Sequence, residues 1–386
     1  MKRRVLLLVA IALTQACSHT RLSTPPVASG APRWSHQAGG QIWSPLTLVN
    51  NILYYGCDDG TITALDVRSQ QVRWQYETDG RVRSAVTVAA DVVFAASDDG
   101  FVYAIERSSG VLRWGVDVAR TSPPRVLPAQ GPPYDYDYLQ SSPVYADGMV
   151  FVGSPDGQLY AINAEAGAVR WRFRTAGKVR STPVVLDGTV YFGSWDGHVY
   201  AIDATSGKQR WRYDTGGIVQ GSPTVSAGLL YVGSRAASLF ALDIHTGRLV
   251  WQHPFADGSW VESSPVVEAG VLYVGTSDAR KLLALAADTG KVLWQFDTGG
   301  WSWSTPRYRK GTVYIGSISA FPYSFDDIEL KRGLYAVAAD TGAEKWRLVP
   351  EAVDGYITGG FFSRVQVADG VVYAAAIDGT IYAIQQ

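Results

Sequence analysis

The chain of 386 residues is poor in the groups that most chemistry needs. It has two cysteines, Cys17 and Cys57, two methionines and five histidines. There is no Cys-x-x-Cys, no haem-attachment word and no pair of histidines at metal-ligand spacing. Charged residues make up only 18% and the formal net charge is −1, which leaves no electrostatic case for a nucleic-acid partner. The main apolar run, Val5 to Leu13, is nine residues long and too short to span a bilayer. Glycine is plentiful at 40 residues, yet no Gly-rich phosphate loop appears, because the glycines sit in hairpin turns rather than between a strand and a helix.

What the chain does have is a repeat. Residues 178–211 contain three alternating apolar runs, Thr182–Leu186, Thr189–Gly193 and His198–Ile202, parted by Asp-Gly turns and closed by Ser206-Gly207-Lys208 and Trp211. This pattern predicts consecutive antiparallel strands joined by tight hairpins. Using the closing tryptophan as a ruler gives Trp34, Trp74, Trp114, Trp171, Trp211, Trp251, Trp294 and Trp346, at gaps of 40, 40, 57, 40, 40, 43 and 52 residues. The word before it recurs as ALDVRSQQVRW (64–74), AIDATSGKQRW (201–211) and AVAADTGAEKW (336–346), and six of the seven full copies have Gly four residues before Trp. An eighth copy begins at Ala383 and stops at Gln386 without its Trp, while Trp34 has no strands before it. The two ends are therefore expected to complete one sheet. The predicted fold is all-β: an eight-bladed β-propeller of four-stranded antiparallel blades, closed by pairing of the N- and C-terminal strands.

Within a blade two spacings are invariant. The Ser-type residue that opens the first strand lies 12 residues before the Gly or Ala that ends the second, and Ala lies 10 before Trp. All length variation falls in the other two connections. Relative to residues 181–211, blade three gains 17 residues before Ser141 and blade seven gains 12 after Gly316. Blade six gains two before Ser263 and one after Gly275, and blade eight gains seven before Ser363. In an up-and-down sheet these connections emerge on one face of the disc, so one face is uniform and the other elaborated.

The elaborated loops are aromatic: Tyr134, Tyr136 and Tyr138 in blade three, Trp260 in blade six, and Trp301 and Trp303 before blade seven. Phe321, Tyr323 and Phe325 follow in the blade-seven loop, with Tyr356, Phe361 and Phe362 before blade eight. They suit a recognition surface; alternatively they pin long loops onto the disc. The residues preceding the Ser-type position, Trp43, Arg83, Gln140, Arg180, Gln220, Glu262, Trp303 and Phe362, should ring the axial opening on this face. They form either a water-filled polar funnel or a ligand site in which Arg83 and Arg180 hold a side chain. Asp135 and Asp137, or Asp326 and Asp327 with Glu329, could gather round Ca²⁺ or simply be solvated.

The amino terminus, Lys2-Arg3-Arg4 and the apolar run followed by Thr14-Gln15-Ala16-Cys17, describes a secretory signal. It resembles a bacterial lipobox, with Thr14 where Leu is usual, and the resemblance implies cleavage after residue 16 and acylation of Cys17. Ser18 in place of Asp implies sorting to the outer membrane, facing the periplasm. The expected organisation is a signal peptide over 1–16, a lipidated tether over 17–33 rich in Ser, Thr and Pro, and the propeller over 34–386. Cys57 would then be the only thiol of the folded part, in a slot that Ser97, Ser154 and Ser194 hold in other blades.

The Ala–Gly–Trp word resembles the tryptophan-docking motif of quinoprotein (PQQ-like) propellers across residues 34–386. Quinoprotein dehydrogenases share that motif, but they are typically longer, many carry adjacent cysteines, and no catalytic Asp or calcium site can be matched here. The overall plan is also similar to the outer-membrane assembly lipoproteins of the BamB family. That resemblance implies a non-catalytic scaffold, monomeric within a complex, that binds periplasmic domains of a BamA-like barrel-assembly component and needs no cofactor. The alternatives are a small-molecule or glycan-binding propeller and a PQQ-dependent dehydrogenase.

Overall fold

A computed structural model describes residues 29–119, 136–320 and 329–386. Its strands form eight antiparallel sheets; seven follow chain order from the axis outward, and the eighth takes its outermost strand from the start of the ring. In blade four these strands are Val184–Leu186, Thr189–Gly193, His198–Asp203 and Gln209–Asp214. Asp187 and Gly188 both take positive φ between the first two, as a two-residue turn of the mirror-image type requires.

Both invariant spacings are physical contacts. Ser181 Oγ donates to the Gly193 carbonyl at 2.8 Å and accepts from the Gly193 amide at 2.8 Å, tying the start of the first strand to the end of the second. The same pair is made by Ser44 with Gly56 and Ser304 with Gly316. The Ala-to-Trp spacing is a cross-strand pair, Ala201 opposite Trp211, with a bulge directly beside it.

Each tryptophan then locks its blade to the next. Trp171 Nε1 donates to Ala204 O at 3.0 Å and Trp211 Nε1 to Ile244 O at 2.8 Å, and four more indoles do the equivalent. The hairpin glycine is needed for two reasons. At Gly207 φ is +70°, and a Cβ would stand 2.8 Å from Trp171 Cδ2. Between neighbouring blades this builds an apolar layer, for example Tyr191, Trp211, Val219, Leu230 and Phe240.

Ring closure follows the same rule. The strand Pro32–Gln37 pairs with Thr380–Gln385, with Trp34 opposite Ala383. Gly30, four residues before Trp34, takes φ +83° and packs on Trp346 as a hairpin glycine does elsewhere. The last repeat word is thus completed by the first residues of the ring, and strand structure begins at Pro32 rather than at Trp34.

Blade seven departs from four strands. Its second strand runs on as Thr312–Ala320, and Ile357–Gly360, from the insertion before blade eight, pairs with residues 318–320 as a fifth strand.

Candidate functional site: the axial mouth and its cover

The variable connections do share a face, as their mutual contacts show. The turn after the second strand of one blade repeatedly meets the residue entering the next: Asp58 with Arg83, Arg235 with Glu262, Asp278 with Trp301 and Ser277 with Trp303. At the axis these groups do not line an open funnel. Residues 136–140 of the blade-three insertion lie across the mouth and are held there from several blades.

Backbone and charge fix the segment. The Tyr136 carbonyl accepts from Gln220 Nε2 at 3.1 Å and Arg235 Nη2 at 3.2 Å. Gln140 Oε1 accepts from the Arg83 amide at 2.9 Å. Asp137 is fully buried and takes Arg180 Nη2 at 2.7 Å and Lys178 Nζ at 3.2 Å. This corrects the expectation that the acid is simply solvated: it is buried against two cations of blade four. Arg83 grips Asp58 through Nε and Nη2 at 2.8 and 2.5 Å, with Cζ 4.8 Å from the centroid of the Trp43 ring, while its Nη1 has no hydrogen-bond partner. Glu262 is held by Arg235 at 2.6 Å. Several residues expected round the axial opening thus also serve as anchor points for the segment. A long insertion needs fixed contacts to repay its ordering, and the ring of unlike residues at the axis supplies them.

The aromatic residues divide into three groups. Tyr138, Trp301, Trp303 and Phe362 are buried with Trp43 under the segment: Tyr138 stacks on Trp43 at 4.8 Å, and Trp301 on Trp303 at 4.8 Å. Tyr136, Trp260 and Tyr356 are half-buried at the surface, with the Tyr136 and Tyr356 hydroxyls 2.9 Å apart. The Tyr136 ring meets Trp260, Trp301 and Trp303 edge-on. Burial and the Tyr356 hydroxyl raise the Tyr136 phenol far above its ordinary pKa. Phe361 packs instead in the layer between blades seven and eight. Tyr134, Phe321, Tyr323, Phe325 and Cys17 lie outside the described residues, as do Asp135, Asp326 and Asp327.

Two residues that complete the surface were missed by the repeat comparison. Trp195 and Arg235 occupy turn positions that hold Asp58 and Asp98 in blades one and two. Arg235 lies over both the Trp260 and Trp195 rings, at 4.6 and 5.4 Å, and Lys178 over Trp195 at 4.4 Å. A bulky residue where other blades carry Asp was the available signal. Cys57 is a free, buried thiol pushed up to about 12, chiefly by burial, which suits a packing residue rather than a nucleophile.

No curated protein matches the chain in sequence. Among solved structures it is similar to BamB from Moraxella catarrhalis, at 18% identity and a TM-score of 0.71, covering 92% of this chain and 100% of that one. It is also similar to Saccharomyces cerevisiae Sqt1, at 14% identity and 0.72, covering 93% and 100%. The quinohemoprotein alcohol dehydrogenase from Comamonas testosteroni matches at 13% identity and 0.70, covering 92% and 76%. Identities this low show the propeller fold alone. The family model described as outer membrane protein assembly factor BamB is more specific, matching residues 21–139, 129–260, 255–356 and 281–386. Those matches span nearly the whole chain, which therefore belongs to the BamB family of outer membrane protein assembly factors.

Proposed function

We propose that the protein is a non-catalytic, lipid-anchored scaffold on the periplasmic side of the outer membrane, which binds a protein partner of outer-membrane assembly on its elaborated face. One observation carries this beyond family membership. Insertions from blades three, seven and eight, separated by up to 220 residues in sequence, are knitted together on one face, as the Tyr136–Tyr356 contact illustrates. A platform ordered before binding loses little entropy when a partner docks. Its half-exposed Tyr136, Trp260 and Tyr356, with Trp195 and Leu139, have the amphipathic aromatic character of interface hot spots. The buried aromatics below them support the platform rather than contact the partner. Acylation of Cys17 and the tether of residues 17–33 belong to the same reading, and the partner is a periplasmic domain of a BamA-like component.

The test is affinity capture of the tagged, full-length protein from solubilised envelopes. Recovery of a barrel-assembly component is expected, and its capture should fall about 30-fold or more in a Trp260→Ala, Tyr356→Ala double variant that remains folded. Capture without any such component overturns the reading. Cys17→Ser should release the chain from the membrane.

A further inference from the structure

Beneath the covering segment a cavity of about 480 Å³ follows the axis, lined by the first strands of the blades. Most of its wall is neutral and internally satisfied. At the position after the Ser-type residue, Ser142, Thr182, Ser222 and Ser264 form a belt in which each oxygen accepts an amide of the preceding blade. These bonds, from Ala85, Ser142, Thr182 and Ser222, measure 2.8–3.0 Å. Two residues on, Thr47 and Thr224 donate to carbonyls of the following blade.

Blades seven and eight add charge to this pattern. Blade eight carries Arg364 at the belt position, and blade seven carries Arg307 where blades one to six have Thr or Val. Three charged side chains line the cavity: Arg83, Glu262 and Arg364. The first two pair with Asp58 and Arg235, although Arg83 Nη1 and Glu262 Oε2 keep no partner. Arg364 pairs with no carboxylate among the described residues, and Arg307 Nε is buried without a hydrogen-bond partner. Ser363, which also lines the cavity, is buried with its hydroxyl unpartnered, although Ser44, Ser181 and Ser304 at the same position all hold a backbone amide. Burial and the neighbouring Arg307 push the Arg364 guanidinium below its ordinary pKa, as expected of two like charges with no counter-ion.

An unsatisfied hydroxyl and a cation without a counter-ion in the wall, with a second guanidinium beside them, are costly. Guanidinium forks match the paired oxygens of carboxylate and phosphate. We propose that the axial cavity is an oxyanion site, in which Arg364, Arg307 and the Ser363 hydroxyl hold the carboxylate or phosphate group of a small anion. The cavity volume is that of a small-molecule pocket, and its far end is closed by residues 136–140. This site is separate from the partner-binding surface, so either reading can fail alone.

The test is calorimetric titration of the purified full chain with orthophosphate and, in parallel, citrate, with ionic strength fixed by sodium chloride. Saturable binding of at least one anion is expected, together with a rise in the thermal midpoint that chloride does not reproduce. Arg364→Gln and Arg307→Gln should each weaken it by about tenfold or more, whereas Arg309→Gln, exposed on the same strand, should not. Without anion, Arg364→Gln should unfold no earlier than the parent, since it removes one of two like charges. Arg364→Lys, which keeps charge but not the fork, should bind with intermediate affinity and serves if the Gln variant fails to fold. Absence of binding by both anions, or unchanged binding in the Arg364→Gln, Arg307→Gln double variant, overturns the site.

Discussion

The two faces of the disc are held by different kinds of contact. On the uniform face the turns are local: a two-residue turn such as Asp187-Gly188, or Asp203 accepting the amides of Thr205 and Ser206 with Arg210 beside it. These bonds span a few residues and look alike from blade to blade. On the elaborated face Arg180 meets Asp137 across 43 positions and Gln220 meets Tyr136 across 84. A repeat can rebuild the first kind of contact independently in each blade. The second kind exists once, and it must be present before the face has a shape. Stability of the ring and architecture of the site are thus separable, and substitutions can test that separation.

The largest effects should come from two tryptophans, one from each region. Trp211→Ala removes a buried indole and leaves the Ile244 carbonyl between blades four and five with only the longer bond from the Tyr191 hydroxyl. Trp303→Ala empties the stack under the covering segment and releases Ser277. Each should cost about 3–5 kcal/mol by urea midpoint. Hydrogen exchange distinguishes them: Trp211→Ala should expose amides of blades four and five together, Trp303→Ala chiefly those of residues 136–140 and the blade-seven and blade-eight insertions. Equal loss of protection round the whole ring in both would break the comparison.

Next is the buried charge. Asp137→Ala removes a buried carboxylate that Arg180, itself buried, and Lys178 share, and should cost about 3 kcal/mol. Adding Arg180→Met should recover part of that loss, because the buried cation that Asp137 contacts is removed with it. If the double variant is no better than the single, the segment is held by its aromatic and backbone contacts and not by this pair.

How far each region could be read in the chain follows from the same difference. The blade, the eight-fold count and the closure were legible because the Ala-to-Trp word is a local hairpin whose contacts recur every 40 or so residues. Gly30 even stands in the slot that the closing word requires. The fifth strand of blade seven was not legible: Ile357–Gly360 ends in two glycines, both at positive φ, and pairs with residues nearly 40 positions away. Trp301 and Trp303 could be placed on a loop but not in or out of water, since their burial depends on Tyr136 from another blade. Asp137 in a Tyr-Asp-Tyr-Asp-Tyr run looked like a surface acid for the same reason. Composition identifies a loop as unusual; only the partner loop decides what its side chains touch.

A smaller test isolates the role of glycine on the regular blade. Gly188 and Gly207 have nearly equal φ, +66° and +70°, but a Cβ at Gly188 would meet nothing within 4 Å, while at Gly207 it would strike Trp171. Gly188→Ala should therefore cost about 1 kcal/mol, for backbone strain alone. Gly207→Ala should cost about 2–4 kcal/mol, the added part coming from displaced tryptophan. Equal costs would mean that conformation, not docking, selects the hairpin glycine.

The least effect is expected from the charges of the uniform face. Asp66 accepts the amides of Arg68 and Ser69 at 2.9 and 3.1 Å and pairs with Arg73. The Arg73 hydrogen bond, then that of Ser69, holds its carboxyl down to about 2. A folded-state pKa below the unfolded value of about 3.9 means that the pair stabilises the native state fully above that value. The contribution should fade as pH drops from about 4 toward 2, where the native carboxylate also takes up its proton. With the Arg73 side chain 59% exposed, solvent screens the pair and the shift in midpoint should be slight. Asp66→Asn should flatten this acid limb and leave the neutral-pH midpoint almost unchanged. A large loss at pH 7 instead would show that a turn of the uniform face carries the kind of singular contact so far assigned only to the elaborated one.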